Sequence, residues 1–241
     1  MASLRRYVAL SDDRLARVLR RLYRWVAGYS LPAPRLLTYP ALQLFLALRS
    51  VYYFIVRVFF CEPLFKAYCT KYGRNLHTGV YLHWVVGRGT IILGNDVLLD
   101  GKIGFSFAAR YSENPTLEIG DGTGIGHNCS LTVGKRITIG KHTRIASGVR
   151  IFDASGHPTN PADRLAGLPV PEQDVRPVTI GDNVWIGINC IIHPGVTIGD
   201  GSVISAGSVV TSNVAPNVLA MGNPARQVLS LADGPSSPCK R

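Results

Sequence analysis

His157 stands in Gly156-His157-Pro158, inside a proline-rich stretch, residues 152–177, that interrupts an otherwise regular sequence. Imidazole titrates near neutrality, so it can take a proton from a hydroxyl without being permanently charged. An alcohol is a weak nucleophile, and a positioned base raises its rate of attack by about 10² to 10⁴. Asp153, four residues earlier, either orients that imidazole or caps the loop. Asn128, in His127-Asn128-Cys129-Ser130, has the residue type favoured at tight corners. His77, His83, His142 and His193 show no metal-ligand spacing, and no metal is expected. Cys61, Cys69, Cys129, Cys190 and Cys239 are odd in number, scattered and without a CxxC pair, which reads as reduced thiols.

The elements that must carry these residues repeat every six positions. Aliphatic residues recur at Ile180, Ile186, Ile192, Ile198, Ile204 and Val210, each followed by glycine, asparagine, aspartate or other small or polar residues. An earlier run has Ile119, Ile125 and Leu131, slips by two residues, and resumes at Val133, Ile139, Ile145 and Ile151, with a fainter start at Leu93 and Leu99. A helix needs a period near 3.6, whereas a period of six puts one aliphatic side chain per step into the core of a parallel β-helix. Three steps make a triangular coil of about 18 residues. Residues 152–177 are the one large insertion, of the kind that projects from a solenoid's binding face. Residues 81–115 fit the hexad poorly, and Phe105-Ser-Phe-Ala-Ala-Arg-Tyr111 is expected to be a further insertion.

The 241 residues are 46% hydrophobic and 17% charged, with 25 glycines, which excludes a disordered chain. The net charge of +11 is concentrated near the start: eight arginines against Asp12 and Asp13 leave +6 within residues 1–35. Leu15, Val18, Leu19, Leu22, Val26 and Tyr29 recur at helical spacing with arginines between them, so a basic amphipathic helix is expected there. Pro32, Pro34 and Pro40 are expected to break the chain before an apolar, aromatic-rich helix over residues 41–60. Its polar stripe is Gln43, Ser50 and Arg57, with Arg49 to one side, which makes it a poor simple membrane span and suits a helix lying in the cytoplasmic leaflet. Packing against its own protein or a neighbouring subunit is the other reading. The opening Met-Ala-Ser-Leu-Arg-Arg lacks a secretory pattern, so no export of the folded domain is expected. No nucleic-acid motif accompanies the charge.

Residues 91–228 resemble the hexapeptide-repeat acyltransferases, most closely the branch of maltose, galactoside and nodulation-factor O-acetyltransferases. The resemblance is strongest in Pro177-Val-Thr-Ile-Gly-Asp-Asn-Val-Trp-Ile-Gly187, Pro194-Gly-Val-Thr-Ile-Gly-Asp200 and Met221-Gly-Asn-Pro-Ala-Arg226. It implies a left-handed parallel β-helix, a homotrimer with sites in clefts between chains, and acetyl-CoA as co-substrate. It also implies His157 as catalytic base, with Asn128 at the acceptor. Trp185, Gly187, Ala206 and Thr211 match positions along the pantetheine arm, and Asn223, Pro224 and Arg226 match the closing segment, where Arg226 would meet a nucleotide phosphate. The family's usual acceptor-binding N-terminal segment is replaced here by the basic and aromatic stretch, so the acceptor is not implied.

The expected organisation is therefore mainly β. An N-terminal helical segment spans residues 1–75, a β-helix 76–228 with its active-site loop 152–177, and a tail 229–241. The expected activity is acyl transfer, most simply acetyl, to a hydroxyl of a sugar or lipid-linked glycan precursor. The expected location is cytoplasmic, peripheral on the inner face of a bacterial membrane and in contact with anionic lipid. The alternatives are N-acyl transfer to a nucleotide amino-sugar and a non-catalytic scaffold at a membrane.

Overall fold

The computed structural model describes residues 2–108 and 110–231, with side chains from residue 6 onward, so Cys239 lies outside the described residues. The chain divides into two compact units, Met1–Ser50 and Val51–Arg241.

The first unit is helical, with α1 over Ala2–Leu10, α2 over Arg14–Gly28 and the start of α3, Arg35–Val56. Asp13 caps α2 by accepting the Ala16 N–H at 2.7 Å, which satisfies a backbone donor that the first turn leaves open. Pro40 does not end a helix as expected; it lies inside α3. Proline removes one backbone donor, and the long apolar helix that follows tolerates that single loss in its second turn. No residue of α3 is buried, and Leu36 is 90% exposed. The helical run continues through a π turn, Arg57–Cys61, into α4, Glu62–Lys66, giving 32 helical residues with a mean hydropathy of 1.8 in the most apolar window. Arg57, expected on the polar stripe, donates to Glu62 at 2.6 Å, and Lys66 lies 3.7 Å from the same carboxylate.

The second unit is a left-handed parallel β-helix. Its faces are sheets of eight, six and five strands, each strand pairing with the one a full coil away. The buried aliphatics follow the hexad: Ile139, Ile180, Ile186, Ile192, Ile198 and Ile204 are all 1% exposed or less. Coil length is not uniform. Trp185 pairs with Val203 and Ile191 with Val209, 18 residues on, whereas Gly124 pairs with Arg144 and Leu117 with Ile137, 20 residues on. The two-residue slip in the sequence is this difference. In the longer coils the strands Ser130–Val133 and Arg136–Ile139 each turn two side chains inward, Leu131 with Val133 and Ile137 with Ile139.

At the edge between the five- and eight-stranded sheets, carboxylates cap successive coils: Asp121 accepts the Asn95 N–H, Asp182 that of Lys141, and Asp200 that of Asp182. Residues 81–107 are regular after all, with strands Trp84–Val86, Thr90–Leu93, Leu98–Leu99 and Gly104–Phe107, and only 108–115 leave the coil. Phe105 is fully buried, so the expected insertion at 105–111 begins only after Phe107. Phe65 stacks on Phe105 with centroids 5.5 Å apart, and His83 packs edge-on to both rings. Burial pulls the His83 imidazole down to about 4, so it is neutral at pH 7 and serves as a packing residue. At the other end the hairpin Val218–Gly222 and Ala225–Ser230 closes the eight-stranded sheet, running two residues past the expected boundary at 228.

Candidate active site

Two excursions leave the edge between the six- and five-stranded sheets. Residues 108–115 follow the strand Gly104–Phe107, and residues 153–177 follow the strand Arg150–Phe152. Those strands are not neighbours, because Ser130–Val133 lies between them and turns back tightly at Gly134-Lys135. The excursions thus stand about 10 Å apart, two strand spacings, with the tight turn as a floor.

Asp153 locks that floor. Its side chain is fully buried, and its carboxylate accepts the N–H groups of Gly134 at 2.5 Å and of Lys135 and Arg136 at 2.7 Å. Burial pushes the carboxyl up from its ordinary range while the three N–H donors pull it back. Of the two roles open to Asp153, these contacts describe the cap. The excursions are joined above the floor: Tyr111 Oη accepts the Val170 N–H at 3.1 Å, and Tyr111 packs on Ala154, Val170 and Val175.

Between them lies a cavity of about 610 Å³ lined by Phe107, Arg110, Tyr111, Thr132, Ser155, His157 and Arg164, among others. His157 is exposed at its wall, followed by the buried Pro158. Arg164, on the short helix α5 (Pro161–Leu165), donates through Nη1 to the carbonyls of Pro158 at 2.9 Å and Thr159 at 3.1 Å. It thereby fixes the backbone just beyond His157. An exposed imidazole in a cavity that Thr132 and Ser155 also line is an arrangement suited to removing a proton from a bound hydroxyl.

None of the other expected site residues lines this cavity. Asn128 is an exposed corner residue at φ 59°, at the edge between the eight- and six-stranded sheets. Gly187 and Ala206 occupy that same edge on later coils. A Cβ at Gly187 would sit 2.5 Å from the Ala206 backbone nitrogen, so coil stacking alone requires glycine there. Trp185, 58% exposed, projects from the eight-stranded sheet beside Arg144, Leu98 and Gly124 in a second recess of about 480 Å³. Thr211 follows the strand Val209–Val210 and returns to the His157 edge, further along the axis. Asn223 and Pro224, joined by a cis peptide bond, form the turn of the closing hairpin, and Arg226 follows with its Nη1 3.0 Å from the Ala225 carbonyl. One chain therefore places His157 on one edge and most of the donor candidates on another, a prism face of about 15–20 Å apart for five or six extended residues. Arg110, Tyr111, Thr132 and Arg164 are cavity residues absent from the sequence-level set; the basic-aromatic pair Arg110-Tyr111 within the break in periodicity was the available signal.

Among the described residues no group of histidine, cysteine and acidic side chains has metal-holding geometry. Cys69 and Cys129 are pushed by burial to about 12 and about 11, so neither is a thiolate at neutral pH.

Residues 177–212 match the family described as hexapeptide repeat of succinyl-transferase. Galactoside O-acetyltransferase of Escherichia coli strain K12 is 40% identical over 141 residues, 58% of this chain and 64% of that protein. The chain spans a little under two thirds of the length of such curated relatives. Among solved structures, galactoside acetyltransferase in complex with coenzyme A is 30% identical, with a TM-score of 0.50, over 71% of this chain and 70% of that one. A hexapeptide-repeat acetyltransferase of Vibrio cholerae complexed with acetyl coenzyme A is 28% identical, with a TM-score of 0.52, over 75% and 83%. The hexad core, the interrupting histidine loop and these likenesses converge: the chain belongs to the hexapeptide-repeat acyltransferases, alongside the galactoside O-acetyltransferases.

Proposed function

We propose that the protein transfers an acetyl group from acetyl-CoA to a hydroxyl of a saccharide, with His157 as general base. The observation that carries this reading is the exposed imidazole in a cavity built from the two excursions of a hexapeptide-repeat β-helix. His157 takes the acceptor hydroxyl's proton as its oxygen attacks the thioester carbonyl, and the imidazolium returns that proton to the departing thiolate. Backbone N–H groups near the reacting carbon hold the oxyanion. Asp153 supports the cavity through the backbone, and Asn128 is an acceptor contact brought in from another edge. The relatives crystallised with coenzyme A and acetyl coenzyme A support the donor. Trp185, Gly187, Ala206, Thr211, Asn223, Pro224 and Arg226 are proposed as its binding residues.

The separation of the two edges within one chain favours a homotrimer, in which the donor edge of one subunit faces the His157 edge of the next. The organisation is a helical segment to residue 75, the catalytic β-helix over 76–228 and a short tail. The five arginines of α2, with no acidic residue within it, and the exposed apolar surface of α3 support peripheral contact with an anionic membrane. The acceptor would then be a glycan precursor at the inner face of the cytoplasmic membrane.

Thiol release from acetyl-CoA in the presence of saccharide acceptors tests the chemistry. His157→Ala should lower kcat by about 10² or more with coenzyme A affinity retained. Near-normal turnover in the variant would overturn the assignment.

A further inference from the structure

The cavity beside His157 has a one-sided charge. Its lining includes two guanidinium groups, Arg110 from the first excursion and Arg164 from the second, and no carboxylate. Neither arginine belongs to an ion pair among the described residues. Both hydrogen bonds of the Arg164 side chain leave from Nη1, and its Nε and Nη2 have no acceptor among the described residues. The nearby carboxylates lie outside the cavity's lining. Asp153 spends both oxygens on backbone N–H groups, whereas Glu172, which pairs with Lys135 at 3.2 Å, and Asp163 line an adjoining recess that Arg110 also borders, with no ion pair to Arg110 or Arg164 among the described residues.

We infer that the acceptor is a saccharide bearing an anionic group, carboxylate or phosphate, and that Arg110 and Arg164 bind that anion beside His157. This rests on the acceptor occupying the His157 cavity, as in the proposed function, and adds the chemical class that the cavity selects. Two arginines in a recess concentrate positive potential, and guanidinium forks match the oxygens of a carboxylate or a phosphate. The bound anion would orient the sugar and take no part in bond making. Arg164 also holds the backbone after His157, whereas no hydrogen bond from Arg110 to the fold is found among the described residues. Arg110 is therefore the cleaner probe.

The test is calorimetric binding at low salt of four compounds to the full-length protein: methyl glucoside, glucuronic acid, glucose 1-phosphate and UDP-glucose. At least one anionic compound should bind at least tenfold more tightly than methyl glucoside, and the pattern among the three separates a uronate, a sugar phosphate and a nucleotide-linked sugar as the source of the charge. The preference should fall as salt is raised. Arg110→Gln should reduce it at least fivefold while acetyl-CoA affinity holds, and Arg164→Lys should reduce it with the loop fold retained. Absence of any preference for the anionic compounds, or its full survival in Arg110→Gln, overturns the inference. Acetyl transfer to the same compounds is measured separately. Anion preference without transfer counts against the catalytic reading alone, and transfer without anion preference counts against this inference alone.

Discussion

The β-helix and α3 are both rich in aliphatic and aromatic residues, yet they dispose of them in opposite ways. In the β-helix every sixth residue is enclosed by the coils above and below, and Ile139 is 1% exposed. In α3 nothing is buried, and Leu36, Leu44, Phe45 and Tyr52 remain largely exposed. Apolar content alone therefore does not mark a core. A periodicity marks one only where the chain itself supplies the surface that closes over it, as successive coils do here and a single helix does not.

The sharpest way to break this comparison is to place a charge in each region. Ile139→Asp should abolish cooperative folding, because an unpaired carboxylate would be sealed in a dry core. Leu44→Asp should shift stability by no more than about 0.5 kcal/mol, as is usual for exposed sites. Urea unfolding followed by circular dichroism compares them, and equal damage by both would mean that α3 is packed as tightly as the coils.

Lipid binding should separate the regions almost as strongly. Each basic residue near an anionic surface contributes about 1 kcal/mol, so the full chain should float with anionic vesicles at low salt and detach at high salt. A chain beginning at Val51 should retain the folded β-helix and lose most of the association that the arginines of α2 supply. If the full-length protein fails to float with anionic or neutral vesicles at every salt concentration, α3 packs on protein and the membrane reading is dropped.

Smaller effects sharpen the β-helix side. Gly187→Ala would press a methyl group to about 2.5 Å from the Ala206 nitrogen, so the coils must separate locally. A loss of about 1–3 kcal/mol is expected in urea titration, together with weaker coenzyme A binding. An unchanged midpoint would show that the coils have slack at this edge.

His83 gives the gentlest probe. Its folded-state value of about 4 lies below the ordinary histidine value near 6.5. The unfolded chain therefore takes up the proton first as pH falls. The contribution is complete above about pH 6.5 and is lost progressively down to about pH 4, at up to about 1.4 kcal/mol per pH unit. His83→Asn keeps an acceptor for the Ile103 N–H, 3.3 Å from Nδ1, and removes the titration. Stability measured against pH should bend in that window for the natural protein and less so for the variant, whereas parallel curves would refute neutral burial.

The hexad was legible because its signal is local: one aliphatic residue per step, with corner residues after it. The same locality explains what stayed hidden. Residues 81–107 are just as regular, but their coils are longer than the 18 residues the hexad implies, so a six-residue count loses phase. The Tyr111–Val170 contact closes over 59 positions of sequence and across an intervening coil, which no spacing rule reaches. Asp153 was visible as a residue near His157, but its partners, the N–H groups of Gly134, Lys135 and Arg136, belong to a turn whose proximity exists only after coiling. Gly187 was legible only through the resemblance, and its tight stacking on Ala206, which demands glycine there, appears only once the coils are built.

The two excursions begin and end on strands whose positions the ladder fixes on its own account. Lengthening or shortening either one costs loop-closure entropy only logarithmically and disturbs only the small cluster of Ala154, Val170, Val175 and Tyr111, leaving the coil core in place. The wall of the His157 cavity can therefore be rewritten one residue at a time while the frame stays constant. In evolutionary terms the edge behind Gly134-Lys135 is a socket into which new selectivities can be fitted, and a designer seeking a different acceptor should vary residues 108–115 and 153–177 together while leaving Asp153 in place to hold the floor.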